Sequence, residues 1–317
     1  MGLASPSAVL DHAPALRACL TSVAQAMAAQ GVEELPASME DIIIKFSSSA
    51  ASKWRSEVVT RIRQNIKSGA TEEFVTTMLE SGGSGGGSWM ATPSAAQHCL
   101  TNQEFTTSSR LRMNLDVHRT PPDRNLTCAH KGGQRVGFRT CRQAADAKGL
   151  HPLLCKLGGH VVARHDKIRD VVATLIHETL DVPVHTEQRP PGDQPDDRHP
   201  DVDYYDSRMV RQYLDVEVVT PHARAQPGAS SLRRPGALLE IEEGKKRRKY
   251  DTLRLTPAVL THLGRIGSGL QSFFRGLGIG ADERARSDSI SRCYQTIACA
   301  LQRENVKILA AAAPLLP

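Results

Sequence analysis

Three carboxylates at the ends of short strand-like runs are the residues of this sequence best suited to chemistry. Asp201 opens one run, Asp215 lies on the next with thirteen residues between them, and Glu187 ends the run before both. Two adjacent antiparallel strands of that spacing would bring Asp201 and Asp215 within reach of one ion. Hard cations such as Mg²⁺ take oxygen ligands and usually one or two protein carboxylates. The spacing predicts a site for Mg²⁺ or Mn²⁺; the alternative is a solvated acidic hairpin.

A cation for such a site would have to come from outside the strand that carries Asp215. Restriction-type nuclease sites place a lysine two residues after this acid, whereas Glu217 stands there. The basic run 245–249, which reads KKRRK, ends the next predicted helix and is followed by Tyr250. Its lysines could fold back over the same strands. Such runs also form solvated faces or nuclear import signals, and these interpretations can hold together.

The elements that must position these residues form one regular block. Apolar residues at helical spacing predict a helix from His160 to about Asp181, and alternating β-branched and aromatic residues predict the strands that follow. The resulting order, α-β-β-β-α-β, predicts an α+β domain. After the first helix, the predicted elements are strands at 182–187, 201–205 and 212–219, a helix at 236–250, a strand at 253–260, and helices at 266–277 and 286–302.

Composition divides the whole chain into five segments. The run of Ser and Gly at 81–88 cannot bury apolar surface and has high backbone freedom, as linkers do. It predicts a boundary between a helical connector module at 1–80 and the rest. A connector with a degenerate zinc knuckle is predicted at 89–159, the α+β domain at 160–305, and an apolar tail at 306–317.

Charge and hydropathy exclude two broad classes. The 317 residues include 40 Lys+Arg and 34 Asp+Glu, a net charge of +6, which favours association with nucleic acid without choosing DNA or RNA. No stretch reaches the roughly 18 to 20 apolar residues of a spanning helix, so we expect no membrane-embedded protein. The N-terminus lacks the pattern of a secretory signal. Seven scattered cysteines are then expected to be reduced thiols or metal ligands.

A cysteine and histidine segment has the spacing of a small zinc site. Cys141, His151 and Cys155 are separated by nine and three residues, close to a zinc knuckle. The fourth ligand of a knuckle should follow Cys141 closely, but no cysteine stands there. Cys128 or His130 could complete the tetrahedron from upstream. The alternative is a decayed site whose thiols pack as small buried hydrophobes.

The first helix of the α+β block carries a second candidate contact with nucleic acid. Arg164, His165 and Arg169 are cationic or polar, and positions 165 and 169 share one helix face. Guanidinium groups engage phosphate in a bidentate manner. The alternative is a network of charges along an exposed helix.

A series of short motifs occurs here in the same order as in one known protein family. Over roughly residues 81–310 the chain reads SW at 88, LTNQEF at 100, RLR at 110, the cysteine and histidine segment, RHDKIRD at 164, PD at 200, YLDV at 213, KRRKY at 246 and LG at 263. On these motifs, the chain resembles the C-terminal part of reverse transcriptases of non-LTR retrotransposons that carry a restriction-like endonuclease.

The resemblance implies a fold and an activity. It implies a PD-(D/E)XK restriction-endonuclease-like core, whose α-β-β-β-α-β order agrees with the elements predicted above. Asp201 and Asp215 would bind the divalent metal, and the Lys-x-x-Lys-Tyr element of Lys246, Lys249 and Tyr250 would supply the missing lysine. Enzymes of the family nick target DNA to prime reverse transcription, and together with the basic run this predicts a nuclear protein.

The expected mechanism is metal-assisted phosphodiester hydrolysis. Glu187 would assist Asp201 and Asp215 in holding Mg²⁺ or Mn²⁺, and Lys246 or Lys249 would stabilise developing charge or activate the attacking water. The zinc knuckle would help to grip nucleic acid. The residues expected to contact nucleic acid are Arg164, His165, Arg169, Arg247, Arg248 and Tyr250.

Two alternatives to an active nuclease follow from departures from the family's pattern. No Tyr-x-Asp-Asp polymerase motif is found, so a fragment of a polyprotein is expected, with the reverse transcriptase portion as its natural covalent neighbour. Glu217 in place of a lysine, the missing knuckle cysteine and the lost polymerase favour a competing interpretation, a catalytically inactive nucleic-acid-binding remnant. A purely structural remnant is the third interpretation.

Overall fold

The computed structural model describes residues 72–119, 126–132, 139–187, 199–221, 235–277 and 282–316. The connector module predicted at 1–80 lies outside these ranges except for residues 72–80. The helices are α1 (Glu72–Ser81), α2 (Asn102–Arg112), α3 (Leu150–Leu154), α4 (His160–Leu180), α5 (Ala237–Lys249), α6 (Ser268–Leu277) and α7 (Glu283–Ala312), with 3-10 turns at Ser88–Met90 and Ala96–His98; the strands are β1 (Val184–Thr186), β2 (Val202–Tyr205), β3 (Arg211–Val219) and β4 (Leu255–Thr261).

The four strands form one mixed sheet in the order β1-β2-β3-β4. β1 and β2 pair antiparallel, as do β2 and β3, whereas β3 and β4 run parallel. A parallel pair needs a crossover connection, and α5 lies between β3 and β4 in sequence. From α4 to β4 the elements follow the predicted order α-β-β-β-α-β. The α+β class is therefore confirmed.

The main hydrophobic core lies between the sheet and helices α4 and α7. Ile168 and Val172, one helical turn apart on α4, pack there with Leu214 and Val216 of β3. Successive side chains of a strand point to opposite faces. Because Leu214 and Val216 face this core, Asp215 between them points to the other face, which α5 covers. The alternation along β3 thus directs a buried carboxylate toward the basic end of α5.

Helix α5 packs on that second face through its first turn. Leu238 and Leu239 form a small apolar cluster with Val219 of β3 and Val259 of β4. The helix then runs to Lys249, with four of its five basic residues in the last turn. Basic side chains are favourable at a helix C-terminus because the backbone dipole is negative there. The apolar first turn fixes the helix, and its basic end comes to lie over β3.

The Gly/Ser run at 81–88 is packed against the turn that follows β4. Gly85 and Gly86 are buried, and the backbone N–H of Ile266 donates to the oxygen of Ser84 at 2.8 Å. Gly85 has a φ of +80°, and a Cβ there would stand 2.5 Å from the Ile266 side chain. Glycine is therefore required at this position by both conformation and space. That the run separates two folding units stays a prediction.

The last helix is longer than the sequence pattern predicted. The predicted helix ended at residue 302 and a tail was expected from 306, but α7 continues to Ala312. Its final turns bury Ile308 and Leu309 against Leu111 and Leu153. The apolar residues expected to form a tail are thus the core-facing side of a helix, and no glycine or proline interrupts them before Pro314. None of the helices within the described ranges is long and apolar enough to cross a membrane.

Candidate functional site

Asp201 and Asp215, the carboxylate pair, lie at the same end of the β2–β3 pairing. Asp201 directly precedes β2, Asp215 lies within β3, and the register pairs their neighbours Val202 and Leu214. The Asp201 carboxylate accepts the backbone N–H of Val216, the residue after Asp215. The structure therefore places the two acids at adjoining positions, with Asp201 contacted from α4 and Asp215 from the end of α5.

Asp201 is held by a backbone amide and a histidine. Its Oδ2 accepts a hydrogen bond from the backbone N–H of Val216 at 2.6 Å and lies 3.1 Å from His165 Nε2. The hydrogen bond to Asp201 raises the pKa of His165 to about 9. His165 is thus a cation at neutral pH, and it fixes one oxygen of Asp201 from the α4 side of the sheet.

Asp215 is held by the end of α5. The Tyr250 hydroxyl donates to Asp215 Oδ1 at 2.9 Å, and Lys246 Nζ forms an ion pair with Oδ2. Lys246 Nζ also lies 3.2 Å from Glu217 Oε2. Burial disfavours the Lys246 ammonium, but the charges of Asp215 and Glu217 outweigh burial and raise the pKa of Lys246. A fixed ammonium group therefore stands between Asp215 and Glu217.

Lys249 reaches the carboxylates only through Tyr250. Its Nζ donates to the Tyr250 hydroxyl at 2.8 Å and lies 4.5 Å from the centre of the ring. The same hydroxyl lies 3.0 Å from the backbone oxygen of His199. Of the two lysines predicted at this site, Lys246 contacts the acid directly and Lys249 supports its tyrosine partner.

Glu187 is not brought to the carboxylate pair by its side chain. Its carboxylate is exposed and forms an ion pair with Arg169, while its backbone N–H donates to the oxygen of Asp201 at 3.0 Å. Within the described ranges, no three acids place their oxygens close enough together to share an ion. A cation at this site would be held by two carboxylates, which suffices for Mg²⁺ when water and phosphate complete its shell.

The residues predicted to contact nucleic acid are divided between surface and interior. Arg247 and Arg248 are exposed on α5, and Arg247 also lies 3.3 Å from the buried Glu243. Arg164 is only 1% exposed. Its guanidinium donates to Asn305 Oδ1 at 2.9 Å and to the oxygen of Leu153 at 3.4 Å. The structure therefore places Arg164 in the packing of α4 against α7, away from any surface that phosphate could reach.

A shallow cavity opens beside the basic end of α5. Its volume is about 420 Å³, and Arg247 and Tyr250 line it together with Gln212 and Arg254. Neither Gln212 nor Arg254 was found by sequence reasoning, because no motif contains them. The cavity gives the exposed face of the site a polar, partly basic wall.

Glu217 is a further residue whose role the sequence pattern concealed. It stands where a lysine was expected and counted against a nuclease, yet in the structure it is a partner of Lys246. The signal was available: residues two apart on a strand share a face, so Glu217 and Asp215 had to flank the same space.

Four residues of the cysteine and histidine segment form a group that could bind a metal such as zinc. The ligand atoms of Cys128, Cys141, His151 and Cys155 all lie within 4.8 Å of one another. A tetrahedral zinc with Zn–S about 2.3 Å and Zn–N about 2.0 Å needs ligand separations of roughly 3.5–3.8 Å, so small side-chain movements would close the site. Cys128 completes the group; the alternative candidate, His130, places its Nε2 2.9 Å from the oxygen of Ile308.

Local backbone structure holds these ligands in place. Cys128 lies on a short antiparallel ladder with the segment that carries Cys141, closed by backbone bonds from Cys141 to His130 and from Arg142 to Cys128. Asp146 caps α3 by accepting the backbone N–H of His151 at 2.7 Å. Burial raises the pKa of the Cys128 thiol to about 12. A bound zinc ion would hold such thiols as thiolates.

Comparison with known proteins adds no family to these observations. No protein-family model and no curated protein matches this sequence. The resemblance to retrotransposon endonucleases therefore stays a prediction that rests on the motifs themselves and on the site they would form.

Proposed function

We propose that this chain is a divalent-metal-dependent DNA endonuclease of the PD-(D/E)XK type, related to non-LTR retrotransposons, which nicks target DNA. One observation carries the proposal: the Asp201 carboxylate is bonded to the backbone beside Asp215, at the same end of the β2–β3 pairing, and the Lys246 ammonium is paired with Asp215. Two carboxylates can hold a divalent cation, and a lysine can stabilise the charge that develops during phosphodiester hydrolysis.

Each residue would have a separate part in the reaction. A bound Mg²⁺ or Mn²⁺ supplies Lewis acidity and lowers the pKa of a water. Asp201 and Asp215 would hold the ion, while His165 and Tyr250 keep the two carboxylates oriented, as outer partners of metal ligands do. Lys246 would stabilise the negative charge that develops on the phosphate in the transition state.

The nucleic acid would approach over the exposed end of α5. Arg247 and Arg248 are exposed there, and arginine suits phosphate through its paired donors. The partner we propose is DNA, with RNA as a second substrate to test, and the site of action is the nucleus. We propose further that Cys128, Cys141, His151 and Cys155 bind Zn²⁺ and that this segment helps to grip the nucleic acid.

A catalytically inactive nucleic-acid-binding protein is the second candidate. The observation in its favour is that protein cations already pair with both acids, His165 with Asp201 and Lys246 with Asp215. A carboxylate pair neutralised in this way is stable without a metal. In this candidate, the acids fix α4 and α5 on the sheet, and the exposed arginines alone contact nucleic acid.

Nicking of supercoiled plasmid distinguishes the two candidates. The native chain would be compared with Asp201→Asn and Asp215→Asn, in Mg²⁺ or Mn²⁺ and with a chelator. The matched control is Asp288→Asn, because Asp288 is exposed on α7. Nicking that requires metal, disappears in both site variants and persists in the control supports the endonuclease. A native chain that binds DNA but never nicks it contradicts the endonuclease and favours the second candidate.

A further inference from the structure

We propose that Glu217 is a positioning residue, which holds the Lys246 ammonium beside the carboxylate pair when Asp215 is engaged elsewhere. The inference rests on the proposed endonuclease and assigns a role to a residue that otherwise counts against it. The observation that carries it is the bracketing of Lys246 Nζ by two carboxylates, Asp215 Oδ2 on one side and Glu217 Oε2 at 3.2 Å on the other.

The bracket follows from the geometry of β3. Asp215 and Glu217 are two residues apart on one strand, so their side chains leave the same face about 7 Å apart along the strand. Lys246 enters the space between them from α5. Its side chain is only 13% exposed, and a buried ammonium group is stable only when it is paired. Both acids therefore contribute to keeping it in place.

The two acids are not equivalent in their surroundings. The Asp215 side chain is 6% exposed and is also bonded to Tyr250, whereas the Glu217 side chain is 37% exposed. Asp215 is also the proposed metal ligand. A carboxylate that binds a divalent cation is a weaker partner for an ammonium group, because the two cations compete for the same negative charge. Glu217 would then be the partner that keeps Lys246 from swinging into solvent.

The contact between Glu217 and Lys246 also shows how a lysine on α5 can reach the space beside position 217 of β3. Restriction-type sites carry their lysine two residues after the acid, on the strand itself. Here the ammonium reaches the same space from α5, and Glu217 contacts it there. An ammonium group carried by position 217 would consequently occupy nearly the same place. We therefore expect that a lysine at position 217 of β3 can replace Lys246 of α5 as the source of the ammonium group.

Rescue of a lysine variant tests this interchange. Lys246→Ala is expected to lower the nicking rate by about 100- to 1000-fold, as loss of a charge-stabilising donor does. The double variant Lys246→Ala/Glu217→Lys should nick at least roughly tenfold faster than Lys246→Ala alone, because the ammonium group is restored at the same place. The matched control combines Lys246→Ala with Glu178→Lys, which has the same net charge but places the lysine on α4, where Glu178 is exposed.

The single variant Glu217→Gln tests the positioning role itself. Partners in the outer shell of a metal site are worth about 10- to 100-fold in activity, and we expect a loss in this range with unchanged affinity for plasmid. A Glu217→Gln chain that nicks at the native rate, or a rescue no better than that of the Glu178→Lys control, overturns the inference while leaving the proposed endonuclease intact.

Crystal structures decide the inference even if the chain never nicks DNA. Asp215→Asn removes the charge of the first partner without changing its shape. Lys246 Nζ is then expected to remain within hydrogen-bond distance of Glu217, and to leave this space only in the double variant Asp215→Asn/Glu217→Gln. If Lys246 swings away in Asp215→Asn alone, Glu217 does not hold it. Failure of the endonuclease would instead appear as a native chain that binds plasmid without nicking it.

Discussion

The contact between His165 and Asp201 joins helix α4 to the end of the sheet where β2 begins. Their Nε2 and Oδ2 atoms lie 3.1 Å apart, and Nε2 is also 3.2 Å from the backbone oxygen of Val216. Val216 in turn donates its N–H to Asp201. One residue of β3, Val216, thus orients both the acid and its histidine through its N–H and its carbonyl oxygen. The position of the Asp201 carboxylate therefore depends on α4 as well as on β3.

The charge on His165 should make the stability of the metal-free chain depend on pH. The pKa of His165 is about 9 in the fold, raised from 6.5 chiefly by the hydrogen bond to Asp201. Because the pKa of His165 is higher in the folded chain, its interaction with Asp201 stabilises the fold in full below about pH 6.5. This stabilisation is lost as the pH rises through about 9. The difference in free energy of unfolding between the native chain and His165→Gln should therefore shrink across this interval.

Urea unfolding in the presence of a chelator would measure that difference at several pH values. His185→Gln is the control, because His185 on β1 has no carboxylate partner among the residues that the structure describes. A difference that stays constant from pH 6 to pH 9 would show that His165 is not charged by Asp201.

Substitutions of Arg164 and Arg248 should have opposite effects on stability and on DNA affinity, although both residues were predicted to contact nucleic acid. Arg164→Met leaves Asn305 Oδ1 and the oxygen of Leu153 without their donor. Unsatisfied buried groups cost about 1–3 kcal/mol each, so we expect a loss of stability with unchanged DNA affinity. Arg248→Met removes an exposed charge and should weaken DNA binding without changing stability.

Two measurements separate these effects: chemical unfolding, and the dependence of DNA affinity on salt. Each phosphate contact that is lost reduces the slope of log affinity against log salt by about one. A smaller slope for Arg164→Met at native stability would contradict its place in the core.

Local pattern was enough to predict the elements that carry the site. The run at 212–219 has the alternation and β-branched residues of a half-buried strand, and it coincides with Arg211–Val219 except for one residue. The spacing of Asp201 and Asp215 then required only that two successive strands pair antiparallel. The lysine could be anticipated because a basic helix end is easily recognised in sequence.

Long-range packing determined what could not be predicted. Arg164 bonds to Asn305, which lies 141 residues away, and no local signal distinguishes this buried arginine from an exposed one. Glu217 looked like a missing lysine because its partner lies on another element. The choice of Cys128 over His130 depends on a small ladder whose pairing the irregular segment does not reveal.

Loss of one cysteine should abolish zinc binding, whereas loss of the neighbouring histidine should not. The native chain is expected to hold one zinc through Cys128, Cys141, His151 and Cys155. Cys128→Ser removes a thiolate from a four-ligand site, and the zinc content should fall to a small fraction of one ion per chain. His130→Gln should retain zinc, because His130 faces the backbone of α7.

The zinc content of both variants can be measured by inductively coupled plasma mass spectrometry after purification without added chelator. Equal zinc in Cys128→Ser and the native chain would exclude Cys128 as a ligand. A native chain without zinc, even after reconstitution under reducing conditions, would favour thiols that pack as buried apolar groups.

The buried ion pair of Glu80 and Arg265 tests whether the segment before the glycine run belongs to the same folding unit. Glu80 Oε2 lies 3.1 Å from Arg265 Nε, and Oε1 accepts the backbone N–H of Gly236 at 2.9 Å. Burial raises the pKa of Glu80 and lowers that of Arg265, since both charges are removed from water. Glu80→Gln keeps the shape but leaves the Arg265 charge unpaired.

Loss of one partner of a buried pair typically costs about 3–5 kcal/mol, and we expect Glu80→Gln to lose stability at the lower end of this range because Arg265 keeps its bond to the oxygen of Leu79. Urea unfolding followed by far-UV circular dichroism should then show one transition at a lower midpoint. Glu178→Gln, an exposed change on α4, should unfold like the native chain. An unchanged midpoint for Glu80→Gln would mean that the glycine run separates α1 from the α+β domain, as its composition first predicted.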